Sequence, residues 1–233
     1  MLKNRRLADR NFTSRQQHSA LPLTLPRGAD FILAPRLSRG KHMSKRILVI
    51  LGHPSSQSFC GALADHYVQA AREAGHQVRE LRLGTLSFDP ILREGYQQVQ
   101  PLEADLLKAQ ADISWAEHLT LVYPIWWGAI PALLKGFFDR VLLPGFAFKY
   151  RPGKAFPEKL LQGRTADLLV TMDTPPWYYR WVYRMPGLHQ VRKTTLAFCG
   201  IRPRTTLTFG PLLDSTARQR QTWLARAKAI AQG

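Results

Sequence analysis

Cysteine is nearly absent from the 233 residues: only Cys60 and Cys199 occur, far apart and in no C-x-x-C pair. That excludes a disulfide framework and favours a reducing compartment such as the cytoplasm. No apolar run is long enough to cross a bilayer. There is no H-E-x-x-H and no Cys/His cluster, so no metal site is expected. His66, His76 and His118 have no ligand spacing and read as surface or internally satisfied groups. Neither G-x-G-x-x-G nor G-x-x-x-x-G-K-[ST] is present, so the common glycine-rich phosphate loops are excluded. Acidic residues are scarce too, 16 Asp and Glu against 33 Lys and Arg, for a net charge of +17. Such a surplus attracts nucleic acid, anionic membranes or phosphorylated cofactors. No RNA-binding signature accompanies it, so a nucleic-acid partner is not expected.

What is present divides in two. Residues 1–43 carry nine Lys or Arg against two acidic residues and show no sustained helical or strand period. They contain no signal-peptide core and read as a basic, disordered leader. Met43 is followed at once by "SKRILVILGHP", which reads as a natural start of translation. Residues 44–233 are the expected domain, with 45% hydrophobic residues in the whole chain and therefore material for a core.

Along that domain, "KRILVIL" (45–51) is a continuous run of the kind buried on both faces of a sheet. "ALADHYVQAAREAG" follows as a helix, with Leu63, Tyr67, Ala70, Ala71 and Ala74 on one stripe and Gly75 as terminator. Residues 76–81 form a second strand, 101–116 a helix, and 118–127 contain a third strand. Pro131 opens a helix over 131–142, buried through Leu134, Phe137, Phe138 and Val141, with Gly136 serving close packing. Asp139 and Arg140 read as a structural pair. Strands over 165–173 and 204–210, a helical stretch over 188–199, and a closing helix over 215–231 capped by Ser215 or Asp214 complete the chain. Alternating strands and helices predict an α/β fold: a doubly wound parallel sheet of five strands with helices on both faces.

For the strand order 2-1-3-4-5, ligands bind beyond the carboxyl ends of the strands, between strands 1 and 3. The two most unusual loops follow those strands. "GHPSSQSFCG" offers His53, Ser55, Ser56 and Ser58 just before a helix start, which makes an anion cradle; equally, Ser58 serves simply as the helix cap. "YPIWWGAIP" offers Trp126 and Trp127 as walls for a flat ring, and N–H groups around 126–128 for its edge. Packing in the core or between subunits is the competing reading. Neighbours on an extended segment point opposite ways, so one of the two tryptophans is expected to touch the ligand.

"ILVILGHPSSQSFCGALA", "YPIWWGAIPALLKGFFDRVLLPGFAF" and "VTMDTPPWYY" resemble the NAD(P)H:quinone oxidoreductase family of flavodoxin-like flavoproteins, from about residue 45 to 230. The resemblance implies FAD or FMN as cofactor, NADH or NADPH as hydride donor, and quinones or similar acceptors. It also implies a homodimer with each site near the interface. Carried over, His53, Ser58, Phe59 and Cys60 meet the phosphate end of the flavin. Pro124, Ile125, Trp126, Trp127 and Gly128 line its ring, and Met172, Asp173 and Thr174 border it from beyond the fourth strand. Cys60 stands where members of the family often have Asn, and "MDTPP" where they often have "TTGG". In some members a Tyr and a His steady the reduced ring; Tyr178 or Tyr179, and His189, stand for them here. The implied chemistry is ping-pong hydride transfer. "MDTPPWYYRWVYRMPG" is both aromatic and basic and reads as a lid, with Arg180 or Arg184 attracting nicotinamide phosphates, or as a dimer-interface loop. The alternative reading is a regulatory flavoprotein subunit of a potassium-efflux system, its basic surface docked on a transporter or membrane face.

Overall fold

The computed structural model describes residues 44–233. The leader and the start at Met43 lie outside them.

Five strands form one parallel sheet: β1 (Arg46–Leu51), β2 (Gln77–Arg82), β3 (His118–Pro124), β6 (Thr165–Thr171) and β7 (Arg202–Phe209), ordered β2-β1-β3-β6-β7. This is the expected flavodoxin-like order. Hydrophobicity explains the centre of the sheet. Every residue of β3 is buried, as is every residue of β1 after Arg46. Side chains on a strand alternate between faces, and the two faces build two cores. Ile47, Val49, Leu51, Val122 and Leu169 pack under α1 (Phe59–Glu73) and α7 (Ala217–Ala231). Leu48, Ile50, Leu121, Tyr123 and Leu168 pack under α2 (Ala104–Trp115), α3 (Ala132–Val141) and the helical run Pro186–Cys199. Among the described residues, no helix is long and apolar enough to cross a membrane.

Leu63, Tyr67, Ala70 and Ala71 are buried along α1, and Gly75 takes φ +87° after it. Leu134, Phe137, Phe138 and Val141 are buried along α3. A Cβ at Gly136 would stand 2.5 Å from Pro90, so close packing does require that glycine.

Four features depart from the sequence reading. Asp139 and Arg140 are no pair: adjacent helical residues do not face each other. Asp139 receives Lys135 one turn back, at 2.7 Å. Arg140 is fully buried, with its Nη2 2.9 Å from the Glu103 carboxylate and 2.9 Å from the Pro101 carbonyl, while Nη1 reaches the Asp89 carbonyl. It ties the 89–103 loop to α3. The cap of α7 is Thr216, not Ser215 or Asp214. Thr216 accepts from the Gln219 N–H at 3.2 Å and its own N–H donates to the Gln219 side chain at 2.8 Å, a capping box. The Ser215 hydroxyl is instead turned back to the Leu212 carbonyl. The stretch after Met185 is helical but irregular, with α5 (Pro186–His189), a π-helical segment Gln190–Leu196 and α6 (Ala197–Cys199). Finally, a small antiparallel ribbon, β4 (Phe148–Lys149) with β5 (Glu158–Lys159), stands apart from the sheet.

The three histidines are engaged. His66 Nδ1 meets the Ala62 carbonyl at 2.8 Å, and His76 Nδ1 accepts from the Lys45 N–H at 3.3 Å. Buried His118 lies 3.2 Å from buried Asp167, whose other oxygen accepts the Thr205 N–H at 2.8 Å.

Candidate functional site

From β1 the chain passes to α1 on one face of the sheet; from β3 it passes to α3 on the other. The two loops therefore part at the upper ends of neighbouring strands, and a crevice opens between them.

The first loop is built on its own hydroxyls. The Ser55 N–H donates to His53 Nδ1 at 2.9 Å, and the Gln57 N–H donates to the Ser55 hydroxyl at 3.2 Å. The Ser58 hydroxyl donates to the Ser55 carbonyl at 2.7 Å and accepts the Gly61 N–H at 3.2 Å. Ser58 is thus the cap of α1. A Cβ at Gly61 would fall 1.9 Å from the Ser56 carbonyl oxygen, so the loop can fold back over the helix start only because residue 61 is glycine. Burial lowers the pKa of His53 and favours its neutral ring, which accepts the Ser55 N–H. His53 stands edge-on to Trp126, centroids 5.5 Å apart, and joins the first loop to the second.

The second loop is a tight turn. Trp126 and Ala129 exchange both backbone hydrogen bonds, each 2.9 Å. Between them Trp127 takes φ +50° and Gly128 φ +76°, the left-handed pair that a type I′ turn demands. Glycine adopts that geometry freely; tryptophan is strained by it. The turn leaves the Trp127 and Gly128 N–H groups without a protein acceptor among the described residues. Trp127 is fully exposed, while Trp126 is about half as open.

Tyr179 holds this turn in place. It lies in a short helix, α4 (Pro176–Trp181), and is the one buried residue there. Its hydroxyl donates to the Gly128 carbonyl at 3.0 Å and accepts the Gly187 N–H at 3.0 Å. Nothing in the residue pattern separates it from the adjacent Tyr178, beyond the rule that a buried tyrosine needs a partner for its hydroxyl.

Two adjoining cavities share Ile125. The first, about 90 Å³, is lined by His53, Ser58, Phe59 and Cys60, by Pro124, Ile125 and Trp126, and by Met172 and Asp173. The Asp173 carboxylate accepts the Leu213 N–H at 2.8 Å and so fastens the segment after β7 that brings Leu212 to the same wall. The second, about 500 Å³ and more open, is lined by Trp127, Gly128 and Thr174 together with Tyr183 and Pro186. All twelve binding residues expected from the sequence thus stand around one crevice. The tryptophans do face different ways, but a turn separates them rather than strand alternation. Cys60 lies at the base, its sulfur 3.1 Å from the Thr171 hydroxyl. Burial pushes its thiol up to about 12, with the Thr171 contact opposing, so it presents a neutral S–H.

Tyr178 and His189 are not brought together in this crevice. Tyr178 packs edge-on between Trp177 and Tyr183, with centroids at 5.6 and 5.1 Å. His189 lines a separate cavity beside α4. The phenol at the open cavity is that of Tyr183.

The crevice fits a flavin on its own geometry. Apolar walls flank unpaired N–H donors at one end, and a helix start stands at the other, where first-turn N–H groups favour an anion.

Comparison with known proteins identifies the family. Residues 45–232 match the model of the flavodoxin-like fold family. An uncharacterized NAD(P)H oxidoreductase of Haemophilus influenzae is 32% identical over 194 residues, 79% of this chain and 94% of its own length. A ribosyldihydronicotinamide dehydrogenase [quinone] of Rattus norvegicus is 26% identical, covering 80% of this chain and 92% of its own. Among solved structures, an NAD(P)H:quinone oxidoreductase from Methanothermobacter marburgensis shares the fold with a TM-score of 0.68 at 23% identity, over 82% of this chain and 98% of that one. The chain belongs to the flavodoxin-like fold family, among its NAD(P)H oxidoreductases.

Proposed function

We propose that the protein is a flavin-dependent NAD(P)H oxidoreductase that passes two electrons to a quinone-type acceptor, by a ping-pong cycle, as a homodimer in the cytoplasm. The observation that carries this is the crevice between β1 and β3, where the strained Trp127–Gly128 turn offers two unpaired N–H groups beside aromatic walls. A bound flavin, FAD or FMN, supplies the hydride chemistry. The chain supplies the rest. Ile125, Trp126 and Met172 exclude water from one side of the ring. The Trp127 and Gly128 N–H groups would donate to the polar edge of the ring, a fixed electrostatic contribution. The start of α1, capped by Ser58 and flanked by neutral His53, holds the phosphate end. The open cavity beside Trp127 and Tyr183 receives donor and acceptor in turn. Tyr178 braces Tyr183 there, and His189, which lines the cavity beside α4, is assigned to the donor rather than to the ring.

The test is a visible spectrum of freshly purified protein, before and after NADPH is added without oxygen. A yellow protein that bleaches is the expected result. A protein that stays colourless with added FAD and FMN would overturn the proposal.

A further inference from the structure

The described residues enclose a larger cavity than those at the strand ends, about 650 Å³, of the size that takes a whole small-molecule ligand. It lies between α4, the irregular helical run after Met185 and the edge strand β7. Four permanently charged side chains line it, Arg180, Arg184, Arg192 and Lys193, and no Asp or Glu does. None of the four is ion-paired within the described residues, whereas seven other arginines have carboxylate partners. Among the described residues their side-chain contacts are with neutral groups. Arg192 donates to the Thr206 hydroxyl at 2.8 Å, which fixes it against the sheet, and Arg180 lies over the Trp181 ring at 5.2 Å. Like charges gathered around one hollow repel one another until an anion enters.

The aromatic content narrows the anion. Trp177 and Trp181 also line the cavity and remain well exposed, 64% and 72%. Guanidinium forks match phosphate oxygens, and open indole faces stack on flat bases. The frame is unusual as well. Arg184 and Met185 are consecutive non-glycine residues at φ +58° and +53°, and Arg192 and Lys193 ride on the π-helical segment. Strained backbone and π-helical turns both concentrate at functional sites.

We propose that this cavity binds the phosphates of a purine nucleotide, with Arg180, Arg184, Arg192 and Lys193 on the phosphates and Trp177 or Trp181 against the base. Two sources share that chemistry. One is the adenylate half of the nicotinamide donor, which rests on the oxidoreductase reading above. The stretch 183–186 lines both cavities, Tyr183 and Pro186 on the open one and Arg184 and Met185 on this one, so a dinucleotide can straddle it. The other is a separate nucleotide bound alongside the donor.

The probe is 2′,5′-ADP, titrated by calorimetry into flavin-loaded protein at low ionic strength. The expected result is saturable binding that weakens with salt. In the double variant Arg180→Gln/Lys193→Gln, both at exposed positions, the Kd should rise about tenfold or more at unchanged Tm. Two donors then separate the sources, NADPH and reduced nicotinamide mononucleotide, which lacks the adenylate. If the adenylate is the ligand, the variant raises the KM for NADPH and leaves kcat/KM for the mononucleotide unchanged. If a separate nucleotide is the ligand, 2′,5′-ADP binds without competing with NADPH and both donors keep their KM. A wild-type protein with no saturable 2′,5′-ADP binding overturns the proposal, as does equal affinity in the double variant. The calorimetry needs no turnover, so failure of the oxidoreductase reading and failure of this one are separate results.

Discussion

Replacing Tyr179 with Phe keeps the ring and removes one oxygen. Two hydrogen bonds go with it, to the Gly128 carbonyl and from the Gly187 N–H, each 3.0 Å. The side chain is 1% exposed, so water does not take their place. At about 0.5–1.5 kcal/mol net for each neutral bond, the loss amounts to about 1–3 kcal/mol. The Gly187 N–H also reaches the Gly128 carbonyl directly, at 3.1 Å, so part of the pairing survives. Folding free energy should therefore fall by only about 1–2 kcal/mol. The greater effect is expected at the crevice. The hydroxyl fastens a turn in which Trp127 is held at φ +50°, a conformation that disfavours a side chain by about 1–2 kcal/mol. Released, the turn relaxes and its N–H groups lose their aim. Flavin affinity should fall about tenfold, equivalent to about 1.4 kcal/mol. Urea denaturation reads the first quantity and a flavin fluorescence titration the second. A Phe variant that loses stability yet binds flavin as tightly as wild type would refute the reasoning, since the phenol would then be structural only.

Trp127→Gly removes the backbone strain and one wall together; flavin-free stability should change by no more than about 1 kcal/mol while flavin affinity drops, by melting curve and titration. Arg140→Ala removes the buried partner of Glu103 and of the Asp89 and Pro101 carbonyls and should cost about 2–3 kcal/mol in urea denaturation. Burial alone would raise the Asp167 carboxyl, but the bonds from His118 and the Thr205 N–H outweigh it and hold its pKa below the usual carboxylate range. Its contribution is then present above the unfolded carboxylate value of about 3.9 and is lost as pH falls through the lower folded value. Acid titration of Asp167→Asn should show a shallower loss of stability in that window than wild type. Raising salt should raise the KM for the nicotinamide donor, because it screens the basic cavity beside α4; a KM indifferent to salt would separate that charge from donor binding.

The sheet was legible because its strands are written in a period that burial enforces. "ILVIL" and "HLTLVY" admit no other place than the interior, and the order of strands and helices then selects the topology. Topology alone brought the loops of His53 and Trp127 to one expectation; Asp173 joined them only through the resemblance carried by "VTMDTPPWYY". The fine geometry of the crevice was not legible. "WWGA" does not look like a type I′ turn, since tryptophan is a poor residue for φ > 0; the hydrogen bond from Tyr179 to the turn operates over fifty residues of sequence. The ribbon β4–β5 has two residues a side, too few for alternation to register. The Thr216 cap was legible in retrospect from its T-x-x-Q spacing, but Ser215 and Asp214 offered the same chemistry one and two positions earlier. Arg140 reads as the structural partner of Asp139 only if sequence adjacency is taken for spatial adjacency.

Cys60 and Cys199 lie on opposite sides of the sheet, each 2% exposed. Burial pushes their thiols up to about 12 and about 11, with Lys159 opposing at Cys199. Alkylating reagents attack the thiolate, so the closed molecule is silent to them and every labelling event marks an opening. The chain thus carries two internal clocks, one for each half of its interior. Cys60 times the parting of α1 from the sheet beneath the crevice; Cys199 times the loosening of the irregular helices on the far side. A molecule seated in the crevice should slow the first clock and leave the second running, so occupancy can be followed by mass alone, without any chromophore.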